Sequence, residues 1–276
     1  MKKLRSKKVP VVIIAVLLSI LFLFPLVWML FTSFKTLGDS MSSSSILPNT
    51  WTLQNYKEIF TQASDAPLVL WLFNTGIITL IGTTLVVIVD VLAAYALARL
   101  RVPGKKIILI MIIAGLTIPG IVTIFPAFYL FKGANLIDTF VPLIFPYTAS
   151  TIGVFLIYNF LLSFPKELEE AAYIDGASQW TILIHVILPS IKPVVMTLGV
   201  ITFLNIYNDF LWPSLVTNSN EMKTVTFGIA GLIQGSNFAN PAKMMASTLI
   251  ATLPALIVFI CANKYFVKSV TNSGIK

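Results

Sequence analysis

Six long apolar runs dominate this sequence, at about 9–31, 68–98, 106–131, 140–162, 193–217 and 244–263. Each holds enough residues to cross a bilayer core as a helix, which takes about 20. Lipid offers no partners to backbone N–H and C=O groups, so only helices and closed barrels can span it. Strand-length alternation of apolar and polar residues is absent, which leaves helices. Composition agrees, with 57% of the 276 residues apolar and 11% charged, against about 25% charged in a soluble domain. So few charges cannot cover a water-facing globule, and so much apolar side chain excludes intrinsic disorder. The expected fold is all-α: one polytopic membrane domain over 1–276 with about six transmembrane helices. Gly76, Gly115, Pro119 and Pro254 fall inside the runs. Such residues would interrupt soluble helices but are common in membrane ones.

The net charge of +8 reads as membrane orientation rather than nucleic-acid binding. With the N-terminus inside and six alternating spans, the inner segments carry fourteen of the 19 Lys and Arg residues. Lys35, Lys57, Lys132, Lys223 and Lys243 are the five left outside. The positive-inside rule then places both termini in the cytoplasm. The apolar run that follows Lys2, Lys3, Arg5, Lys7 and Lys8 is longer than a signal-peptide core and has no small-x-small cleavage site, so it is expected to be an uncleaved span. External loops are expected at 32–67 and 218–243. One cysteine, Cys261, and one histidine, His185, provide neither a disulfide nor a zinc framework, so no metal site is expected.

The segment Ser163–Pro193, SFPKELEEAAYIDGASQWTILIHVILPSIKP, is too long for a turn and too polar for a span. Pro165 and the acids Glu167, Glu169 and Glu170 suit the first turn of a short helix. Leu168, Ala171, Ala172 and Asp175 then share one face. Gly176 is placed to end this helix in a left-handed cap. Ser178 is placed to cap a second helix, and Pro189 is expected to stop it. Four of the chain's eleven acids gather here, and anionic headgroups would repel them. A helix pair docked in a protein groove fits better than a hairpin lying on the membrane.

Glu170–Ala172, Gly176, and Leu188–Pro189 reproduce the spacing EAA-x3-G-x9-I-x-LP, with Val186 in place of the usual Ile. In this the chain resembles the membrane subunits of bacterial ATP-binding-cassette (ABC) importers. The blocks AYALARLRVPGKK (94–106), YNDFLWP (207–213), NKYFVKSVTNSGIK (263–276) and LPNTWTLQNYKEIF (47–60) are similar to the carbohydrate permeases of the maltose-transport type. The resemblance implies a bacterial inner-membrane permease forming half of a sugar pathway. It implies as partners a second homologous permease, a dimer of ATPase subunits and an extracytoplasmic sugar-binding protein, besides membrane lipid. Segment 163–192 would be the cytoplasmic coupling loop, docking an ATPase through Glu170, Ala171, Ala172, Asp175, Gly176, Leu188 and Pro189. Gln234, Gly235, Ser236 and Asn237 would contact the binding protein. No G-x-x-x-x-G-K-[ST] motif occurs in the chain, so ATP and Mg are expected on the ATPase subunit. This chain is expected to hold no cofactor and no catalytic residue.

Asp90 lies inside the second run, where a charge costs on the order of 3 kcal/mol and must face protein or water. It fits either the pathway wall or a hydrogen bond between helices. Asn205, Tyr207, Asn208, Asp209 and Trp212 carry the amide, carboxylate and aromatic chemistry that suits a hydroxyl-rich solute. Gating or structure is the other reading of that cluster. Trp28, Trp71 and Trp212 are expected near span ends as interfacial anchors. Two rivals to a sugar importer are an ABC permease for another solute class and a stand-alone ion-coupled carrier. The carrier would need repeated halves and a network of intramembrane ionisable groups.

Overall fold

The computed structural model describes residues 8–42, 44–61, 67–234 and 240–273, and the described chain is helical, without strands. The elements in chain order are α1 (Lys8–Ser33), α2 (Leu37–Ser42), α3 (Gln54–Thr61), α4 (Leu68–Arg99), α5 (Lys105–Thr117), α6 (Gly120–Gly133), α7 (Phe140–Ile144) and α8 (Thr151–Ser163). They continue with α9 (Glu167–Ile174), α10 (Gln179–Ile182), a π-helical segment (Leu183–Ile187), α11 (Leu188–Asn208), α12 (Leu211–Val216), α13 (Val225–Gln234) and α14 (Pro241–Ser273). Five stretches are long and apolar enough to cross a membrane: Val9–Ser33, Leu68–Arg99, Phe140–Ser163, Gln179–Asn208 and Pro241–Ala262. A sixth is formed only if α5 and α6 act together, and they meet at 100°.

That bend corrects the expectation of one straight helix over 106–131. Ile118 is extended because the ring of Pro119 disfavours α geometry in the residue before it. Two pieces of 13 and 14 residues result, each shorter than the roughly 20 residues a crossing takes. The run 193–217 is also not one helix. α11 ends at Asn208, Asp209 is extended, and α12 starts afresh.

The chain divides into two compact units. The first contains residues 1–69 and 228–253. Here α1 is apolar on all sides, and its side chains stay exposed over most of its length. The segment that follows it is folded rather than a plain loop. Lys35 is 1% exposed. Its Nζ donates to Ser45 O at 2.6 Å and sits 5.6 Å from the Trp28 ring centroid. Asp39 accepts from the backbone and side-chain N–H groups of Asn49 at 2.8 and 2.7 Å. Asn55 Nδ2 donates to the carbonyls of Ser33 and Lys35. Buried polar groups are therefore paired inside this short stretch, as burial requires.

The second unit contains residues 70–227 and 254–276. One core cluster joins the Arg99 end of α4 (Val91, Ala94, Tyr95) to α8 (Ile157, Leu161) and α11 (Ile191, Leu198). A second joins Ile78, Leu143, Ile206, Trp212 and Val216. In lipid, helix association relies on close packing because hydrocarbon already solvates apolar side chains. Glycine provides the closeness. A Cβ on Gly82 would lie 2.9 Å from Ile206 Cδ1, and one on Gly153 would lie 2.0 Å from Asp90 Oδ2. Two tryptophans expected at the lipid interface are instead buried. Trp71 Nε1 donates to Asn220 O at 2.8 Å and Trp212 Nε1 to Pro142 O at 2.7 Å, so each indole N–H is paired inside the chain.

Candidate functional site

The hairpin of α9 and α10 is built by local backbone chemistry. Phe164 is extended before Pro165, which ends α8. Glu167, Glu169 and Glu170 occupy the first turn of α9, where the helix dipole favours negative charge. At its far end the Ala177 N–H donates to Ala172 O and the Gly176 N–H donates to Tyr173 O, both at 3.0 Å. These are the two bonds of a Schellman motif, with Gly176 left-handed at φ 84°. Ser178 Oγ then accepts from the Thr181 N–H and caps α10.

Pro189 does not stop the second helix. The chain passes through the π-helical segment directly into α11, and Pro189, at the start of α11, lies within one continuous helical stretch from Gln179 to Asn208. His185, inside the π segment, is exposed and its Nδ1 is 3.2 Å from Thr181 O.

Exposure sorts the residues of the EAA block. Glu170, Ala171, Asp175 and Gly176 are exposed at the tip, together with Pro189. Ala172 and Leu188 are half-buried and pack against the first core cluster. Sequence reasoning missed an apolar surface beside the tip. Leu168, Tyr173, Ile174 and Trp180 are exposed by 52%, 65%, 85% and 64%. Tyr173 and Ile174 lie between the EAA and the glycine, and that position is the signal that could have found them.

Also missed was the attachment of the hairpin to α4. Arg99 Nε donates to Glu169 Oε1 at 2.5 Å and Arg99 Nη2 donates to Phe164 O at 2.9 Å. One turn earlier, Tyr95 Oη donates to Gln179 Oε1 at 2.8 Å. The Arg99 and Glu169 side chains are 6% and 14% exposed, so this ion pair is shielded from water, unlike a surface pair. A cleft of about 360 Å³ lies over it, lined by Arg99, Glu169, Glu170, Tyr173, Ile174 and Gln179, among others.

The polar residues of the apolar runs fall into two groups. Asn205 and Asn208 are exposed. Tyr207 is buried and stacked on Phe203. Asp209 sits at the break between α11 and α12. It accepts from Tyr147 Oη and from the Trp212 N–H, and its backbone carbonyl accepts from Thr226 Oγ1. Asp90 exposes none of its surface. Its Oδ1 accepts from the Ser150 N–H at 2.9 Å, beside the N-terminus of α8. A carboxylate there meets the positive end of the helix.

Asp138 forms a further clamp between loops. Its Oδ1 accepts from the backbone N–H groups of Asn218 and Ser219 and from Ser219 Oγ. Burial pushes its carboxyl pKa up, but these three donors together outweigh burial and hold it below the usual carboxylate value. Gln234 is the last residue of α13, whereas Gly235, Ser236 and Asn237 lie outside the described residues. Among the described residues no three His, Cys, Asp or Glu side chains converge as a metal site would need.

The family model for the binding-protein-dependent transport system inner membrane component matches residues 91–272. The sulfoquinovosyl glycerol transport system permease protein SmoH of Agrobacterium fabrum is 36% identical, over 92% of this chain and 89% of its own length. The trehalose/maltose transport system permease protein MalG of Thermococcus litoralis is 31% identical, over 98% and 97%. The arabinooligosaccharides transport system permease protein AraQ of Bacillus subtilis is 30% identical, over 94% and 92%. Among solved structures, a chain of a bacterial ABC transporter that imports the acidic polysaccharide alginate shares the fold. Its TM-score is 0.83 at 22% identity, over 95% of this chain and 98% of that one. The chain thus belongs to the family of inner membrane components of binding-protein-dependent transport systems, as a multi-pass permease subunit.

Proposed function

We propose that this permease forms half of the pathway of an ATP-driven sugar importer and docks a separate ATPase subunit through the α9–α10 tip. The observation that carries the reading is the exposed Glu170–Gly176 turn, held in one shape by the Schellman bonds and flanked by unpartnered apolar side chains. Glu170 and Asp175 offer charge to a partner's Arg or Lys. Ala171 lets a surface approach closely. Ala172 and Leu188 root the tip in the permease, while Pro189 stays exposed on the next helix. Hydrolysis belongs to the ATPase subunit, which holds ATP and Mg, and this chain is not an enzyme by itself. ATP moves the permease only in so far as it favours one global state over another.

The sugar class is supported by the relatives, whose names specify a sulfoquinovosyl glycerol, arabinooligosaccharides and trehalose or maltose. In this reading Asn205 and Asn208 face the solute. Tyr207, Asp209 and Trp212 hold the break that presents them, and Asp90 supports α8 from behind. A second homologous permease completes the path. A solute-binding protein docks on the 218–243 side, through Gln234–Asn237 among others. The charge distribution supports cytoplasmic termini.

The test is uptake of a labelled oligosaccharide by proteoliposomes holding both permeases, the ATPase subunits and the loaded binding protein. Gly176→Pro and Glu170→Lys should leave membrane insertion intact and abolish uptake. Full uptake by both variants would refute the docking role. ATP-dependent uptake of a non-sugar solute in place of sugar would refute the sugar assignment.

A further inference from the structure

The coupling hairpin has two covalent neighbours, α8 and α11, yet its densest polar attachment is to neither. Two residues one turn apart on α4 reach it at three places. Arg99 holds Phe164 O ahead of α9 and Glu169 within α9, while Tyr95 holds Gln179 at the start of α10. Both short helices are thereby fixed to one side of a 32-residue helix. The junction toward α11 is of a different kind. Leu183–Ile187 is π-helical, Pro189 follows in the first turn, and Pro193 lies inside α11. π segments and prolines remove or lengthen backbone bonds, and they are where helices bend.

We infer that Arg99 and Tyr95 are positioning residues that make the hairpin and α4 one rigid body, and that the π-helical segment is the hinge against α11. Movement imposed at the tip then enters the membrane through α4, and α11 follows through a soft joint. This rests on the docking reading above, and adds which helix receives the stroke. Charge-assisted bonds in a shielded site resist separation. The hinge lets the tip turn without pulling α11 along its axis.

Two measurements on the whole transporter test this. In a Cys261→Ala background, spin labels at Arg101→Cys, two residues past the end of α4, and Lys166→Cys report hairpin against α4, and labels at Lys166→Cys and Lys192→Cys report hairpin against α11. All three labelled positions are exposed. Between the nucleotide-free and the ATP–vanadate states, the 101–166 distance should stay fixed and the 166–192 distance should change. A 101–166 distance that changes as much as the other would overturn the proposal. Two unchanged distances, in a transporter that retains its ATPase subunits, would overturn the docking reading as well.

The second measurement is solute moved per ATP hydrolysed. Glu169→Gln, which keeps an acceptor for Arg99 and removes only the charge, should retain the ATPase subunits and basal hydrolysis. It should move roughly tenfold less solute per ATP, within the usual range of coupling between sites. Arg99→Glu combined with Glu169→Arg should recover part of the loss. A purely structural role would instead lower assembly and hydrolysis together, with the ratio unchanged, and that result would overturn the proposal.

Discussion

The two ends of the second unit treat their acids in opposite ways. At the Arg99 end, Glu169 is paired with a guanidinium while Glu170 and Asp175 stand free on the tip. At the Asp209 end and in mid-helix, Asp209 and Asp90 accept only from neutral donors: a phenol, a backbone amide at a helix break and another at a helix N-terminus. An ion pair fixes two elements strongly but is harmed badly when one member is lost. Neutral donors fix a turn gently and tolerate replacement. The hairpin thus has one acid committed to its own fold and others free for a partner, whereas Asp90 and Asp209 are turned toward neutral donors within the permease.

The largest expected effect tests the committed pair. Arg99→Ala leaves Glu169 shielded and unpaired, which should lower stability by roughly 3–5 kcal/mol, read by thermal unfolding in detergent. A loss under about 1 kcal/mol would remove the contrast between the two ends, since that is the range of a surface pair. Next is Gly153→Ala. Its Cβ would meet Asp90 Oδ2 at 2.0 Å and Leu198 Cδ1 at 2.9 Å, so overpacking of about 1–3 kcal/mol is expected. Asp90→Asn should not relieve it, because an amide is as large. Asp209→Asn retains an acceptor for the Trp212 N–H and should cost about 1 kcal/mol, the worth of an ordinary hydrogen bond. Replacement as costly as Arg99→Ala would show that the Asp209 end is no gentler.

The smallest effect is a pH dependence. Because the folded pKa of Asp138 is depressed, its clamp contributes fully above the unfolded carboxylate value of about 4. The contribution fades as pH falls through the lower folded value. Asp138→Asn should lower stability modestly at neutral pH and leave it nearly unchanged below the folded value, which flattens the acid limb of a stability–pH curve.

Local signals were legible in the sequence and long-range ones were not. Gly176 and Ser178 announce a left-handed turn and a cap within three residues, and both occur. The apolar runs locate the helices because lipid imposes one length on them. The bend at Ile118–Pro119 and the break at Asp209 were hidden, since prolines and polar residues also occur in straight membrane helices. Pro189 misled for the opposite reason: it reads as a stop, yet the helix continues through it from the π-helical segment into α11. The pairing of Arg99 with Glu169 spans 70 positions, and no local pattern predicts such a meeting. Asp90 fitted two readings because only tertiary burial distinguishes a pathway wall from a helix support.

The all-round apolar surface of α1 has its own consequence. A helix with a polar stripe has one preferred rotation about its axis, since turning it would expose the wrong side to lipid. α1 has no such stripe. Its azimuth is left to whatever lies against it in the membrane, so a single Lys or Asn placed along it would act as a compass needle. The side of the helix on which that residue is tolerated would reveal where α1 meets protein and where it meets lipid.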